Sequence, residues 1–504
     1  MKTKSISLSL CGILFILIET ILILLCGGFF EIVIAFALPV ILLLFFYKGI
    51  TVNLNLSQGI FFIFSVWYFV CALKGGFVIE YAIKGMLPFV TLLLWIYLSN
   101  VSFERAKIID VLVEISMWIA VISVIHCIFI SIDAGTVKRS TFPFDYSNAS
   151  GIYFAVCYFY ARHSKVKFLA KGKYIFIVSL LLTQSIGAIG VFALALVCEL
   201  ILEKRYKKLL LLTAAVLLLV LLLYNRIAES GGTFIERLLH MHDGILCIAE
   251  NPVFGIGAGQ WEIAKNYYQT GFYAAKTIHS SIISIGVSSG VVGLLLFISV
   301  AVLEIKKLLK SRSCIPALMI FIHSMFDFTL SFLAISVLLV LSLSYDEEKT
   351  VCVKPVCKNL TAAVILIFTA VLSAGLLNSA AYQKDVAMQK NSKVFEDNAF
   401  LQASVRAAQC YAAAMYTEKA DGAIPFENYK YLSTEMILCN SLSEKDGYLT
   451  DEFRAQPYNT ALRDYITNGS DAKIAEQASE ISASAADKAS YLGKIIYRLK
   501  GENK

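Results

Sequence analysis

YIFIVSLLLTQSIGAIGVFALALVCELILE, residues 174–203, is the stretch of sequence that decides how the chain crosses a membrane. A helix needs about 20 apolar residues to cross the hydrocarbon core. This run is therefore too long for one upright crossing and short for two. Gln184 and Ser185, followed by Gly187, interrupt it near its middle. Because such residues favour a turn, we predict two short or tilted helices that meet at this point.

Two basic segments flank this stretch, RHSKVKFLAKGK at 162–173 and EKRYKK at 203–208. Lys and Arg are concentrated in the cytoplasmic loops of membrane proteins. The two segments share a side of the membrane only if residues 174–203 cross it twice, and a single crossing is disfavoured because it would place EKRYKK outside. A third basic segment, IKKLLKSRS at 305–313, is expected to be cytoplasmic as well.

Other apolar runs have the length expected of membrane helices. They lie at 6–27, 29–47, 57–75, 79–99, 108–132, 147–162, 207–224, 279–304, 314–329, 331–345 and 359–379. Together with the pair in 174–203, they predict an all-α, polytopic membrane helix bundle of about 13 spans with its N terminus inside.

The composition agrees with a membrane protein. Of the 504 residues, 58% are hydrophobic and 16% are charged, whereas a soluble domain carries about 25% charged residues. This excludes a soluble globular protein, and the high hydrophobicity excludes a disordered chain. The net charge of +7 comes from cations in short loops beside apolar spans, so it does not indicate a nucleic-acid partner.

The charge balance changes near residue 380. Residues 1–379 contain 29 Lys and Arg against 20 Asp and Glu, while residues 380–504 contain 15 against 17. We therefore predict a membrane domain at 1–379 and a soluble helical domain at 380–504, which the topology places outside the cytoplasm. An amphipathic stripe from Ile474 to Ile495 is typical of a packed helix. The domain either binds an acceptor or a protein partner or caps the membrane domain.

The predicted topology also places the loop 133–146 and the long loop 225–278 outside. The first part of the long loop has apolar residues at helical spacing from Ile235 to Ala249 and stops at Asn251-Pro252, which predicts a helix lying in the membrane interface. The glycines 255, 257 and 259 then permit a tight turn. Because they follow a helix rather than a strand, they do not indicate a dinucleotide site.

Ionisable residues near membrane spans are costly and are therefore functional candidates. Those near the external face are Arg139, Arg237, His279, His323 and Asp327. His279 begins an apolar span and is either a general base, since an imidazole can take a proton near neutral pH, or an interfacial residue of a helix that packs through its glycines. His323 and Asp327 are four residues apart, which predicts a shared helix face; they either act at a site or pair with each other.

The two arginines fit a phosphate or pyrophosphate group, because a guanidinium is always charged and binds phosphate oxygens bidentately. The alternative is that Arg139 and Arg237 are interfacial residues with extended side chains. Glu80 and Lys84 are predicted to form a buried pair.

The predicted topology places Cys410 and Cys439 outside the cytoplasm. A disulfide between them is an open alternative, because the sequence does not fix their geometry. His240 and His242, two residues apart on a helix, lack the spacing of a metal site. No metal-binding motif is present, and we expect no metal and no cofactor.

The ordered set of motifs resembles the O-antigen ligase and O-antigen polymerase superfamily of bacterial membrane glycosyltransferases. The resemblance covers about residues 135–330. The pieces that carry it are RSTFPFDYSNASGIYFA (139–155), LLTQSIGA (181–188), the helix of Arg237 leading to NPVFGIGAGQW (251–261), HSSIISIGVSSGVVGLLLF (279–297) and HSMFDF (323–328).

This resemblance implies a multi-pass protein of the bacterial plasma membrane that transfers an oligosaccharide or polysaccharide without a metal. The donor would be an undecaprenyl-pyrophosphate-linked glycan and the acceptor a hydroxyl of a glycan, lipid or protein at the external face. The motifs fit a ligase and a polymerase equally. The alternatives are a transporter or flippase of lipid-linked glycans and a non-catalytic scaffold of a polysaccharide assembly complex.

The resemblance also implies roles for single residues. His279 would activate the acceptor, Arg237 would contact the donor pyrophosphate and Arg139 would line the same cavity. Asn148 would hold the loop of Arg139. His323 and Asp327 would form a second polar pair near the cavity. The chain departs from the family pattern at Ile186, where an arginine is common.

Overall fold

The computed structural model describes residues 8–47, 53–74, 76–222, 224–268, 275, 277–309, 315–343, 351–352, 355–387, 394 and 397–407. Within these ranges the chain is almost entirely helical, and the all-α prediction is confirmed. The part of the predicted helical domain at 380–504 that follows residue 407, with Cys410, Cys439 and the stripe from Ile474 to Ile495, lies outside the described residues.

The helices follow one another along the chain with short connections. They are α1 (Leu10–Leu24), α2 (Glu31–Tyr47), α3 (Leu56–Ala72), α4 (Ile79–Gly85), α5 (Leu87–Asn100), α6 (Arg105–Asp133), α7 (Ser147–His163), α8 (Lys167–Gly172), α9 (Tyr174–Thr183), α10 (Ile186–Leu202), α11 (Tyr206–Leu222), α12 (Tyr224–Glu250), α13 (Trp261–Tyr268), α14 (Ser281–Leu308), α15 (Ile315–Ser324), α16 (Leu333–Leu341), α17 (Pro355–Ala387) and α18 (Ala399–Gln402). Two short strands, β1 (Asn53–Leu54) and β2 (Val351–Cys352), pair antiparallel.

Four helical segments of the described chain are long and apolar enough to cross a membrane: Ile79–Asn100, Ser102–Asp133, Ser281–Leu308 and Asn359–Tyr382. Several other apolar helices are shorter than a full crossing. Large apolar side chains such as Trp118 and Phe129 are exposed on the outer surface of the bundle, as expected where a helix faces lipid. The protein is a helical membrane protein, while the count of about 13 spans stays a prediction.

The predicted interruption of residues 174–203 is confirmed. Helix α9 ends at Thr183, Gln184 takes a left-handed conformation with φ 48°, and Ser185 begins α10 by accepting a hydrogen bond from the Ala188 amide. A left-handed residue stops a helix because its carbonyl no longer points along the helix axis. The chain therefore reverses at these two residues.

Helix α10 runs beside α7 in the same direction. Ser185 contacts Asn148 near the start of both helices, and Glu199 contacts Arg162 near their ends, with 2.8 Å between Arg162 Nε and Glu199 Oε2. The segments 162–173 and 203–208 therefore lie at the same end of α7. Two crossings by residues 174–203 would bring both basic segments to the same side of the membrane, and the structure agrees with this arrangement. That this side is the cytoplasmic one stays a prediction.

Helix α7 lies at the centre of the bundle. Every residue from Ser147 to Phe159 is buried, and the helix packs against α6, α9, α10 and α15. A helix that is buried on all sides is fixed in its rotation and height. The residues at its N-terminal end, including Asn148, are therefore held in place by the core.

Helix α14 is broken at Gly290, which has φ 67° and ψ −172°. The break exposes the carbonyls of Val287 and Ser288, and the turn after α12 fills it: Ile256 N donates to Val287 O (2.8 Å) and Gly257 N donates to Ser288 O (3.1 Å). The glycines of this turn all have positive φ, so the predicted tight turn is confirmed. Gly290 supports this docking rather than the helix packing considered from the sequence.

One sequence prediction about the packing of the helices needs correction. Glu80 and Lys84 do not pair with each other: Lys84 Nζ lies 2.9 Å from Glu31 Oε1, and Glu80 accepts a hydrogen bond from Ser404 Oγ at 2.6 Å. Both residues lie on the short helix α4, and their side chains contact other segments of the chain instead of each other. Helix α17 extends from Pro355 to Ala387, and the predicted boundary between the membrane domain and the soluble domain near residue 380 stays a prediction.

Candidate active site

Asp327 lies at the centre of a polar cluster built from four separate segments. Its side chain is buried, and its carboxylate accepts hydrogen bonds from Asn148 Nδ2 (2.7 Å), Tyr146 Oη (3.0 Å) and the amide of Phe328 (2.8 Å). The predicted shared helix face of His323 and Asp327 is wrong, because α15 ends at Ser324. The chain turns there and directs Asp327 toward α7 instead.

His279 lies beside this carboxylate, two residues before α14 begins. Its Nδ1 is 4.0 Å from Asp327 Oδ2 and 3.5 Å from Tyr146 Oη. The next two residues fix the position of the ring: Ser280 caps α14, and Ser281 Oγ donates to the Asp327 carbonyl at 2.9 Å. The side chain is 17% exposed. His279 is therefore held at the edge of the cluster and not sealed inside it.

Arg237 reaches the same carboxylate from α12. Its Nη1 is 3.6 Å from Asp327 Oδ2 and 3.4 Å from the Phe326 carbonyl oxygen. The side chain is 28% exposed. A guanidinium has five N–H donors, and these contacts involve Nη1. The arrangement places a permanent positive charge next to His279 at the boundary of the cluster.

Arg139 points toward the α9–α10 turn. Its Nε donates to the Thr183 carbonyl at 3.0 Å, and its Nη2 donates to Asn148 Oδ1 at 3.3 Å. Ser185 Oγ donates to the same Asn148 oxygen at 2.9 Å. These contacts favour a supporting role for Arg139, and its predicted contact with a donor stays a prediction.

His323 belongs to the last turn of α15 and lies behind the cluster, beside the α9–α10 turn. It is buried, and its Nδ1 is 2.6 Å from Thr329 Oγ1. A side-chain carbon added at Gly187 would lie 3.6 Å from His323 Nε2. His323 therefore packs against the start of α10, and its predicted contact with a substrate stays a prediction.

The contacts of Asp327 favour its ionised form. Its carboxylate accepts hydrogen bonds from Asn148, Tyr146 and the amide of Phe328, and it lies 3.6 Å from the guanidinium of Arg237. The nearby Tyr146 hydroxyl responds in the opposite direction, because burial and the negative charge of Asp327 raise its pKa well above the usual value. At neutral pH the centre of the cluster is an anionic carboxylate that accepts a hydrogen bond from a neutral phenol.

Two residues of this cluster were not singled out from the sequence. Tyr146 belongs to the motif at 139–155, two residues before Asn148, and its ring stacks on Phe328 with 4.7 Å between centroids. His240 was considered only for a metal site, although its spacing of three residues from Arg237 on one helix was a usable signal. Its buried ring stacks on His279. Among the described residues, no three His, Cys, Asp or Glu side chains form a group that could hold a metal ion.

The fold and the cluster together define a helical membrane protein with a buried carboxylate, a histidine and an arginine gathered where several helices begin or end. The family model described as O-antigen ligase matches residues 173–298. This segment includes Ser185, Arg237, His240 and His279, and the match supports the resemblance to the O-antigen ligase superfamily. The family indicates a membrane glycosyltransferase type of role in polysaccharide biosynthesis. A search of curated proteins gave no match.

Proposed function

We propose that this protein transfers an oligosaccharide or polysaccharide from an undecaprenyl-pyrophosphate donor to an acceptor hydroxyl at the external face of the bacterial plasma membrane. The observation that supports this proposal is the meeting of His279, Arg237 and Asp327, which come from three separate segments. A proton acceptor, a permanent cation and an anion at one membrane boundary are the groups that this displacement needs.

His279 is the proposed general base. Tyr146 donates its hydrogen to Asp327, so its oxygen is available to accept a hydrogen bond from His279 Nδ1–H. We propose that this contact, at 3.5 Å, selects the tautomer in which Nε2 carries the lone pair. As the acceptor oxygen forms its bond to the anomeric carbon, Nε2 takes the hydroxyl proton, and the nearby Asp327 carboxylate stabilises the imidazolium.

Arg237 is the proposed partner of the leaving group. When the bond between the anomeric carbon and the pyrophosphate oxygen breaks, negative charge develops on that oxygen. A guanidinium binds phosphate oxygens through two parallel N–H groups and remains charged throughout. Nη1 of Arg237 lies next to Asp327. The other N–H groups of the guanidinium are the proposed donors to the pyrophosphate oxygens.

Arg139, Asn148 and His323 complete the proposed site as supporting residues. Asn148 connects Arg139 and Ser185 to Tyr146 and Asp327, and His323 packs the opposite side. Ile186, at the position where the family commonly has an arginine, begins α10 next to this network. We propose that Arg237 is the principal donor contact in this chain.

The test compares the glycan products of cells that carry the protein or its variants. His279→Ala should abolish transfer, because no base remains. His163→Ala is the matched control, since His163 contacts Glu199 at the other end of α7; this variant should retain the product pattern. If His279→Ala leaves the glycan product ladder unchanged in properly inserted protein, His279 has no part in the reaction.

A second variant separates charge from geometry. Arg237→Lys keeps a positive charge but loses the bidentate fork, and we expect transfer to fall by about 10-fold or more. Binding of undecaprenyl pyrophosphate in vesicles should weaken in parallel. If the protein were a flippase, cells with an inactive variant would accumulate lipid-linked glycan on the inner face of the membrane. The purified wild-type protein would then show no transfer.

A further inference from the structure

His240 contacts the proposed base and has no part in the chemistry described above. It lies on α12 three residues after Arg237, so one face of this helix carries both side chains to the site. The side chain is only 1% exposed. Its ring lies over the His279 ring, with 5.3 Å between centroids and 22° between planes.

The ring of Phe328 also contacts the His279 ring. The two rings meet at 64° with 5.3 Å between centroids, and Phe328 is the residue directly after Asp327. The His279 ring is therefore confined by a stacked ring from α12 and by an edge-on ring from the Asp327 segment. Both geometries are favourable arrangements of aromatic rings.

We propose that His240 is a positioning residue that stacks on the His279 ring and holds its Nδ1 toward Tyr146 and Asp327. This inference rests on the proposed function only for its effect on transfer, because the contact itself is a property of the fold. A base whose ring is free to rotate would spend less time with Nε2 directed at the acceptor, and turnover would fall.

The surroundings of His240 suit a stacking role and exclude a second charged base. Burial, together with the positive charges of His279, Lys265 and Arg237, lowers the pKa of His240 to about 2. The ring is therefore neutral at physiological pH. A neutral ring stays in contact when His279 takes its proton, whereas two imidazolium rings at this distance would repel each other.

A glycine on α12 allows the close approach of the two rings. At Gly244 a side-chain carbon would lie 2.6 Å from Ile283 Cγ2 and 3.2 Å from Ile278 Cδ1. These isoleucines flank His279 in the chain. Helix α12 therefore packs directly onto the segment of His279, and the stack lies one helical turn from this contact.

The experiment compares three substitutions of His240 with a matched control. His240→Phe keeps an aromatic ring, while His240→Leu keeps apolar volume and His240→Ala keeps neither. His242→Ala is the control, because His242 is two residues away on the same helix, is partly exposed and contacts Asp243 instead. Each full-length variant is measured for transfer rate at saturating and limiting donor, and for thermal unfolding.

We expect His240→Ala to reduce the rate at saturating donor by about 2- to 10-fold with a smaller change in KM. His240→Phe should restore most of this loss and His240→Leu should not. His242→Ala should resemble the wild type. Equal losses in His240→Phe and His240→Ala would overturn the stacking role, as would an equal loss in His242→Ala or an unchanged rate in His240→Ala.

A spectroscopic measurement decides the inference independently of transfer. The chain has six histidines, so the ring signal of His279 can be assigned in isotope-labelled protein in nanodiscs by substitution. Loss of the stacked ring in His240→Ala should shift this signal, while His240→Phe should shift it less. If the wild type shows no transfer, the proposed function fails and this signal alone decides the role of His240; an unchanged signal in His240→Ala overturns it.

Discussion

Asn148 shows how a single side chain fixes the geometry of the cluster. Its two amide hydrogens go to Tyr146 Oη (2.8 Å) and Asp327 Oδ2 (2.7 Å), and its oxygen accepts from Arg139 and Ser185. An amide has two donors and two lone pairs, so all of them are used. The orientation of the amide is therefore determined, and each partner is held relative to the others.

Tyr146→Phe tests the next link at this scale. The phenyl ring keeps the stack on Phe328, while Asp327 loses one hydrogen-bond donor and His279 loses its neighbour. We expect the unfolding free energy to fall by about 1–3 kcal/mol, because a buried acceptor loses a partner. We also expect transfer to fall by about 10-fold, since the contact proposed to select the tautomer of His279 is lost.

Tyr153→Phe is the matched control for this variant. Tyr153 is buried on α7, the helix that begins directly after Tyr146, and its hydroxyl donates to Ser116 Oγ at 2.7 Å. This contact is remote from His279. Transfer rate and thermal unfolding are measured for both variants. Similar stability losses with a rate loss only in Tyr146→Phe support the assignment, and equal rate losses contradict it.

At the scale of elements, the docking of the turn after α12 into the break of α14 connects Arg237 and His279. The Gly290 break exposes two carbonyls of α14, and the turn supplies the amides that bind them. The aromatic stack of Trp67 on Phe254, with 4.9 Å between centroids, attaches the turn to α3. Helix α12, which carries Arg237, and helix α14, which begins two residues after His279, are therefore fixed to each other by backbone contacts.

Gly290→Ala is predicted to break this connection. The conformation of Gly290 is nearly exclusive to glycine, and an added carbon would lie 2.2 Å from the Val253 carbonyl oxygen. Backbone strain of this kind costs about 1–3 kcal/mol, and the clash adds to it. We expect a lower thermal unfolding temperature and loss of transfer.

The matched variant is Gly190→Ala in α10, where an added carbon meets nothing within 4 Å. Alanine favours a helix interior over glycine by about 1 kcal/mol, so this variant should be unchanged or more stable. Unfolding of both proteins in the same detergent gives the comparison. A stable and active Gly290→Ala protein would show that the break in α14 is not required.

At the scale of the whole molecule, the chain after α17 returns to the membrane body. Glu80 accepts hydrogen bonds from Ser404 Oγ and from the Val405 amide (3.1 Å), and Arg406 Nη2 lies 2.8 Å from Glu31 Oε2. These contacts attach residues 404–406 to the ends of α2 and α4. Residues 404–406, which belong to the predicted C-terminal domain at 380–504, are therefore held against the membrane body.

The predicted topology can be tested with single cysteines at exposed positions in a variant without the native cysteines. We expect the Lys171→Cys and Lys204→Cys variants not to be labelled by a membrane-impermeant thiol reagent that is added to whole cells. The Gly135→Cys and Val253→Cys variants should be labelled, because the loops 133–146 and 225–278 are predicted to lie outside. Permeabilised cells provide the control for reactivity. A difference between positions 171 and 204 would contradict two crossings in 174–203.

The sequence alone determined the helical membrane class, because hydrophobicity and span length are local properties that a bilayer selects directly. It also determined the break at Gln184 and Ser185, the end of the loop helix before Asn251-Pro252 and the tight glycine turn. Each of these depends on the conformational preference of a few adjacent residues. The O-antigen ligase resemblance likewise followed from motifs in order along the chain.

Only the tertiary structure decided which residues meet. Asp327 leaves the helix of His323 and turns to Asn148, Lys84 pairs with Glu31 rather than Glu80, Arg139 supports the α9–α10 turn, and His240 stacks on His279. Spacing along one helix predicts neighbours within that helix, but these partners are far apart in sequence. Their contacts depend on how buried helices pack, since a buried polar group takes whatever partner the packing brings within hydrogen-bond distance.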